Sequence, residues 1–443
     1  MVVAINLNPD QQRILNWRIN SGGIAGVIGP AGCGKTTTGS LLAIKMVSEG
    51  YAGRVLLVAF TNSAANEFSR ELSMVLGPEA SKFMCVRSGY AAGADNSLPI
   101  PFSNDLDLVR TKKIVICTTQ SLRRLSKKSS PVKFDNMIID EAGIERLEHL
   151  LSPFVLGINQ LGVHMMKDSI TYEINNIIEL ASQSGIVATV VGDPKQSRPF
   201  GLADHDLSAM EWVLRCAKHD TLFTTHRLPD KSAMLVDDFA DYHGLTSAPD
   251  IAGRRLDVMN AIDPEYRNII NPDEVVTWVD LNGTEEMAGP TSWYNDLEAK
   301  ACARICYELK RVAPSKSLSV VTRYAEQRRV ISNYLRYLDI EAKVLTTTGS
   351  LGTQADIVIF SIVRNNPERK VGAIGSLQDL NVAISRSKEK LIIVGSFDMM
   401  LNATPRSYNS MNELSGQNFP RKLAQLVDKK YGEVVDSPSI LYH

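Results

Sequence analysis

The chain has 443 residues, 44% hydrophobic and 22% charged, with 48 Lys plus Arg against 49 Asp plus Glu. That length suits two or three domains with cores of their own, and the composition excludes collagen, coiled coil and wholesale disorder. A net charge of −1 excludes a global positive field that would draw in nucleic acid, but not a local basic groove.

In chain order, short β-branched runs alternate with amphipathic stretches of helix length. Strands are expected at Ile24–Ile28, Val55–Ala59, Ile114–Thr118, Met137–Asp140 and Val187–Val191. They continue at Glu274–Val279, Leu318–Thr322, Ala342–Leu345, Asp356–Ser361 and Lys390–Val394. Continuous apolar runs of this kind suit strands covered on both faces of a parallel sheet. Helical periodicity falls between them, at Ala64–Leu76, Ile174–Gln183, Asp296–Lys310 and Ala325–Leu338. The expected fold class is α/β, in two domains. The boundary is set at 225/226, after a strand-like Thr221–Thr225 and close to Leu228-Pro229, giving domains 1–225 and 226–443. Insertions are expected near 88–107, rich in Gly, Pro, Asn and Ser, and near 145–184.

The six cysteines include no Cys-x-x-Cys pair, so neither a disulfide framework nor a zinc site is indicated. Cys302 and Cys306 share a helix face and read as core residues. No apolar run approaches the ~20 residues of a membrane span, and Met1–Gln12 carries no basic-then-apolar leader. The expectation is a soluble, reduced, intracellular protein without a membrane partner.

The strongest motif is Gly29-Pro30-Ala31-Gly32-Cys33-Gly34-Lys35-Thr36, directly after an apolar strand and before a helix. Glycines let backbone N–H groups wrap a phosphate, and the helix start presents positive partial charge to it. Lys35 adds a point charge for the β/γ oxygens, Thr36 offers a hydroxyl to Mg²⁺, and Thr37 adjoins the same helix start. ATP and Mg²⁺ are the expected cofactors. A second carboxylate comes from Met137-Ile-Ile-Asp140-Glu141, where Asp140 would hold the metal and Glu141 the attacking water. Gly192-Asp193-Pro-Lys-Gln196 places an amide, Gln196, at a third strand end, where it can sense a γ-phosphate. Alone, that run is only a turn.

These three elements, in this order, resemble the superfamily 1 helicases, and the second half of the chain extends the match. Thr225-His226-Arg227-Leu-Pro229, Thr277–Gly283, Asn295-Asp-Leu-Glu298-Ala299 and Val320–Gln327 follow in the family's sequence. Asp356–Ser361 and Leu380-Asn-Val-Ala-Ile-Ser-Arg386-Ser-Lys388 complete a set similar to the up-frameshift-like branch. The resemblance implies two tandem RecA-like domains with parallel sheets flanked by helices. It implies an ATP hydrolase moving 5′ to 3′ on single-stranded RNA or DNA, a monomeric motor whose specificity comes from accessory proteins. It also implies a cytoplasmic, nuclear or virus-encoded site of action.

Carried onto this chain, Gln11 in Leu7-Asn8-Pro-Asp-Gln11 matches the glutamine that reads the adenine edge. Arg227 and Arg386 match the two arginines that reach the γ-phosphate, and His226 stands where relatives place a base-stacking Tyr. Gly352 lies in the segment that meets the ribose. Hydroxyls and amides for gripping phosphate and sugar are Thr61, Asn62, Ser63, Thr118, Thr119, Gln120, Thr322, Thr347 and Thr348. For any single Thr-Asn-Ser cluster, helix capping is the competing reading. The basic pairs Lys112-Lys113, Arg123-Arg124, Lys127-Lys128 and Arg328-Arg329 suit a track or a solvated face equally.

The chain departs from the family at Leu351-Gly352-Thr353-Gln354, where relatives read Gln-Gly-x-Glu. Asp140 and Asp193 are 53 positions apart, beyond the family norm, so an extra helical element is expected between them.

Overall fold

Strands whose residues are apolar on both faces can only be stable inside a covered sheet, and two such sheets organise this protein. In the computed structural model the described residues are 7–77, 80–86, 100, 103, 105–119, 121, 132, 134–146, 187–196, 198–199, 207–289, 292–404 and 417–441. The chain divides into one unit of Met1–Pro194 with Arg198–Phe223, and a second of Lys195–Ser197 with Thr224–His443.

The strands of unit 1 are β1 (Ile24–Ile28), β2 (Val55–Ala59), β3 (Met84–Val86), β4 (Ile114–Thr118), β5 (Asn136–Ile139), β6 (Val187–Gly192) and β7 (Lys218–Thr221). They form one sheet in the order β3-β4-β2-β5-β6-β1-β7, parallel at every pairing. Every residue of β2 and β5 is buried. Helices α1 (Pro9–Ile19), α2 (Lys35–Ser48) and α3 (Asn62–Leu76), with Ala209–Cys216, supply the helical layers.

In unit 2, β8 (Thr224–Thr225) and β9 (Thr246–Ser247) make a short parallel pair, and β11 (Glu286–Ala288) and β12 (Ser292–Tyr294) an antiparallel one. The main sheet takes β10 (Val276–Asp280), β13 (Leu318–Thr322), β14 (Lys343–Thr346), β15 (Ala355–Ser361), β16 (Ser387–Gly395) and β17 (Glu433–Asp436). Its order is β14-β13-β15-β16-β10-β17, again wholly parallel. The core packs the helix Asp296–Val312, including buried Cys302 and Cys306, against these strands. Both units are RecA-like α/β domains in tandem.

Most expected strands agree with the observed ones within two residues. The largest difference is at Thr221–Thr225, which is not one strand. Lys218–Thr221 lies at the edge of the first sheet, and Thr224–Thr225 pairs in unit 2. A second correction concerns Gly192–Gln196, expected wholly in the first domain. Lys195–Ser197 belongs to unit 2, and its contacts give the reason. Lys195 Nζ donates to the Asp241 carbonyl at 2.8 Å and stands 4.9 Å from the Tyr242 ring centroid, while the Lys195 carbonyl accepts from Asn381 Nδ2 at 2.8 Å. Most of the two expected insertions, the helix Ile174–Gln183, Gln120, and the pairs Arg123-Arg124 and Lys127-Lys128 lie outside the described residues.

Candidate nucleotide site

The phosphate loop runs from the end of β1 into α2. Gly34 is the N-cap of α2 at φ 74°, ψ 39°, left-handed backbone that a residue with a Cβ enters only at a cost. A Cβ there would also lie 2.9 Å from Gln11 Nε2. Gly32 is likewise left-handed, at φ 76°. No side chain caps α2, so its first N–H groups keep no side-chain acceptor and are available to an anion. Lys35 folds back over the loop, donating from Nζ to the Gly29 carbonyl at 2.7 Å.

Thr36 and Asp140, 104 positions apart in sequence, meet here: Thr36 Oγ1 donates to Asp140 Oδ2 at 2.8 Å. Asp140 is 1% exposed, and burial pushes its carboxyl up to about 6. The Glu141 charge adds to that rise, while Lys35 and the Thr36 hydrogen bond oppose it. A hydroxyl and a buried carboxylate form a hard-oxygen pair that fits Mg²⁺, which takes few protein ligands and completes its shell with phosphates and water. The described residues contain no cluster of three or more His, Cys, Asp or Glu able to hold a metal.

Glu141 has φ 58°, a rare conformation for a residue with a side chain. The turn separates two adjacent acids. Asp140 faces inward to Thr36 and takes the Glu141 N–H on Oδ1 at 2.8 Å, and Glu141 remains partly exposed. Gly192, ending β6, closes on the same loop; a Cβ there would lie 2.9 Å from the Gly143 nitrogen.

Gln11 is buried, and two of its atoms are in use. Its N–H donates to Asn8 Oδ1 at 2.9 Å and its Oε1 accepts the Asn8 N–H at 3.2 Å, a capping box at the start of α1. Asn-x-x-Gln before a helix carries that signal, and reading Gln11 only as an adenine contact missed it. Also missed was Glu71 of α3, whose carboxyl burial raises and which hydrogen-bonds Thr37.

The two arginines converge in unit 2 on Ser385, the C-cap of the helix Leu377–Ile384. Arg227 Nη1 donates to the Ser385 carbonyl at 3.0 Å, and Arg386 Nη2 to the Ser385 hydroxyl at 3.2 Å. Arg386 is 3% exposed and also donates to Gln196 Oε1 at 3.2 Å, and the buried Gln196 Nε2 has no partner among the described residues. Arg227 Nε donates to Gln354 Oε1 at 2.9 Å. Sequence reasoning could not find Ser385, since its carbonyl is a backbone group that any residue would supply. His226 is exposed, as is Gly352, whose φ is 71°.

The expected nucleic-acid contacts fall into two groups. Thr61 and Asn62 are exposed, and Thr61 Oγ1 accepts the Ala64 N–H at 3.1 Å as the N-cap of α3. Thr118 shares a 2.9 Å hydrogen bond with Ser121, and Thr119 is partly exposed beside it. The Ser63 side chain lies outside the described residues. Thr322 and Thr347, by contrast, are at most 1% exposed. Thr347 donates to Asp379 at 2.6 Å, and the Thr322 hydroxyl has no partner among the described residues. These two hydroxyls face inward and offer no surface grip.

The motifs Asn295–Ala299 and Val320–Gln327 build a buried polar network. Glu298 Oε2 accepts from Ser361 Oγ and from the Val363 N–H, each at 2.8 Å, and Oε1 accepts from Asn295 Nδ2 at 3.2 Å. Gln327 Nε2 donates to Ser361 Oγ at 2.9 Å, and its Oε1 accepts the Asn295 N–H at 2.8 Å. Burial pushes the Glu298 carboxyl up to about 8.

Two family models, each described as an AAA domain, match residues 6–99 and 208–398. The "Regulator of nonsense transcripts 1 homolog" of Drosophila melanogaster is 23% identical over 424 residues, covering 83% of this chain and 32% of that protein. The "DNA polymerase alpha-associated DNA helicase A" of Saccharomyces cerevisiae is 28% identical over 152 residues, 32% of this chain and 22% of that one. The chain therefore spans about a third or less of these curated relatives. Among solved structures, arterivirus nonstructural protein 10 (helicase) aligns at a TM-score of 0.45 and 15% identity, covering 86% of this chain and 61% of that one. The AAA-domain matches, the two parallel sheets and the helicase relatives make this chain similar to the up-frameshift-like branch of the superfamily 1 helicases.

Proposed function

We propose that the chain is the motor core of an ATP- and Mg²⁺-dependent helicase that moves along single-stranded RNA or DNA, 5′ to 3′. The observation that carries this reading is the 2.8 Å meeting of Thr36 and Asp140 beside Lys35 at the start of α2. Lys35 binds the β/γ oxygens of ATP, and Thr36 with Asp140 holds Mg²⁺, which when bound neutralises phosphate charge. Glu141 orients the attacking water and takes its proton. Arg227 and Arg386 stabilise charge on the transferring phosphoryl group. Gln196, hydrogen-bonded to Arg386, responds to loss of the γ-phosphate. Thr61, Asn62, Thr118 and Thr119 contact the strand without reading sequence. The motor acts as a monomer, with accessory proteins supplying specificity.

The test is ATP turnover with and without matched single-stranded RNA and DNA at two salt concentrations. Strand-stimulated turnover that disappears in Lys35→Ala and Glu141→Gln is expected. Turnover indifferent to strands, with no strand binding at low salt, overturns the reading. Duplexes with a 5′ or a 3′ tail test the direction. Leu351 and Gln354 favour a second reading, a nucleotide-gated binding protein without efficient unwinding. Strand separation measured beside ATP turnover decides between the two.

A further inference from the structure

Gln354 immediately precedes β15, and Ser385 lies two residues before β16. These strands pair in parallel, with Ala355 opposite Ser387 and the Ala355 N–H on the Arg386 carbonyl at 3.2 Å. Sheet pairing thus fixes the backbone separation of the two residues that carry the acceptors, Gln354 Oε1 and the Ser385 carbonyl. The Arg227 guanidinium spans them, at 2.9 Å through Nε and 3.0 Å through Nη1. A guanidinium is planar with its donors in a rigid fork, so holding it at two donors sets its plane and its heading.

We propose that Gln354 is a positioning residue for Arg227, a neutral holder that aims the guanidinium without binding it as an ion pair. The role of Arg227 here rests on the helicase reading above. An arginine that must pass to phosphoryl oxygens needs an orienting contact weaker than the one it moves to. An amide oxygen meets that need. A carboxylate at the same place forms a charge-assisted, often bidentate contact that competes with phosphate.

The experiment uses the full chain with Gln354→Ala, Gln354→Glu, Arg227→Ala and both double variants, reading strand-stimulated ATP turnover. Gln354→Ala is expected to lower kcat about three- to tenfold, the worth of one hydrogen bond, with the KM for ATP within about twofold. Gln354→Glu is expected to lower kcat comparably. Because position 354 is exposed, added salt should relieve the Glu loss but not the Ala loss. Neither substitution should lower turnover further in the Arg227→Ala background. Unchanged kcat in both variants, or losses that persist without Arg227, overturns the proposal. Thermal unfolding of the Arg227→Ala and Gln354→Ala cycle gives a readout that needs no turnover: coupled shifts support the contact, and additive shifts overturn it. Were the unsubstituted chain to hydrolyse no ATP, the helicase reading would fall while this cycle still judged the positioning claim.

Discussion

Asp140 in unit 1 and Glu298 in unit 2 are both buried carboxyls whose pKa rises through loss of water, yet their surroundings suit them to opposite tasks. Glu298 is pushed to about 8, is neutral at pH 7, and has both oxygens occupied by Ser361, Val363 and Asn295. Asp140 is pushed only to about 6, because Lys35 and Thr36 oppose the rise, and it is ionised at pH 7. Its partner Thr36 brings a hydroxyl oxygen that can ligate a cation beside it. Burial alone does not mark a functional carboxylate. The ionised one, facing a second hard oxygen and a lysine, can hold a metal; the neutral one, saturated by hydrogen bonds, holds the fold.

The largest test of this contrast is Lys35→Ala. It should lower strand-stimulated ATP turnover at least about 100-fold, the scale of losing one preorganised charge donor. Its urea midpoint should move little, since among the described residues Lys35 donates one side-chain hydrogen bond, to the Gly29 carbonyl. A comparable loss of stability would make Lys35 a structural residue.

At Glu298 the two effects should reverse. Glu298→Ala leaves Ser361, the Val363 N–H and Asn295 without their common acceptor, and should destabilise unit 2 by about 2–4 kcal/mol. Glu298→Gln keeps a neutral side chain of the same shape and should cost about 1 kcal/mol or less. Asp140→Asn should instead spare stability and abolish hydrolysis. Denaturant unfolding of all three, beside their turnover, breaks the comparison if Asp140→Asn unfolds the protein or Glu298→Ala leaves it intact.

The pH dependence sharpens it further. Unfolded Glu298 ionises near 4.5 and the folded carboxyl near 8, so between these values the unfolded state binds fewer protons. Stability from this group is full below 4.5 and is lost as pH rises toward 8, at no more than about 1.4 kcal/mol per pH unit. Glu298→Gln should flatten that fall. An equal fall in both proteins removes Glu298 as its source. The smallest effect belongs to Thr61→Ala, which removes the cap of α3 and should cost about 1 kcal/mol. Tenfold weaker strand binding with unchanged stability would make Thr61 a strand contact and not a cap.

Sequence made the interior of the fold legible, because β2, β4, β13 and β15 are apolar on both faces and admit few other environments. It did not reveal β7 or β17, which are edge strands. Lys218-His-Asp-Thr221 needs no alternation when one side meets solvent, and its charges discourage pairing with another sheet. At the site, the phosphate loop and the Asp-Glu pair were readable because their chemistry needs particular side chains at particular spacings. Ser385 was not, since its carbonyl belongs to every residue alike. The inward-facing Thr322 and Thr347 had the right residue type for a grip on phosphate, and exposure decided otherwise.

Glu141 has one more consequence, for how such a chain would age. Its left-handed backbone penalises most side chains, and glycine or asparagine would lessen that penalty without removing either partner of the Thr36–Asp140 contact. A lineage kept only as a scaffold would gain stability by drifting to either residue. A glutamate at a backbone position that penalises it is what the proposed part of Glu141 in orienting water would demand.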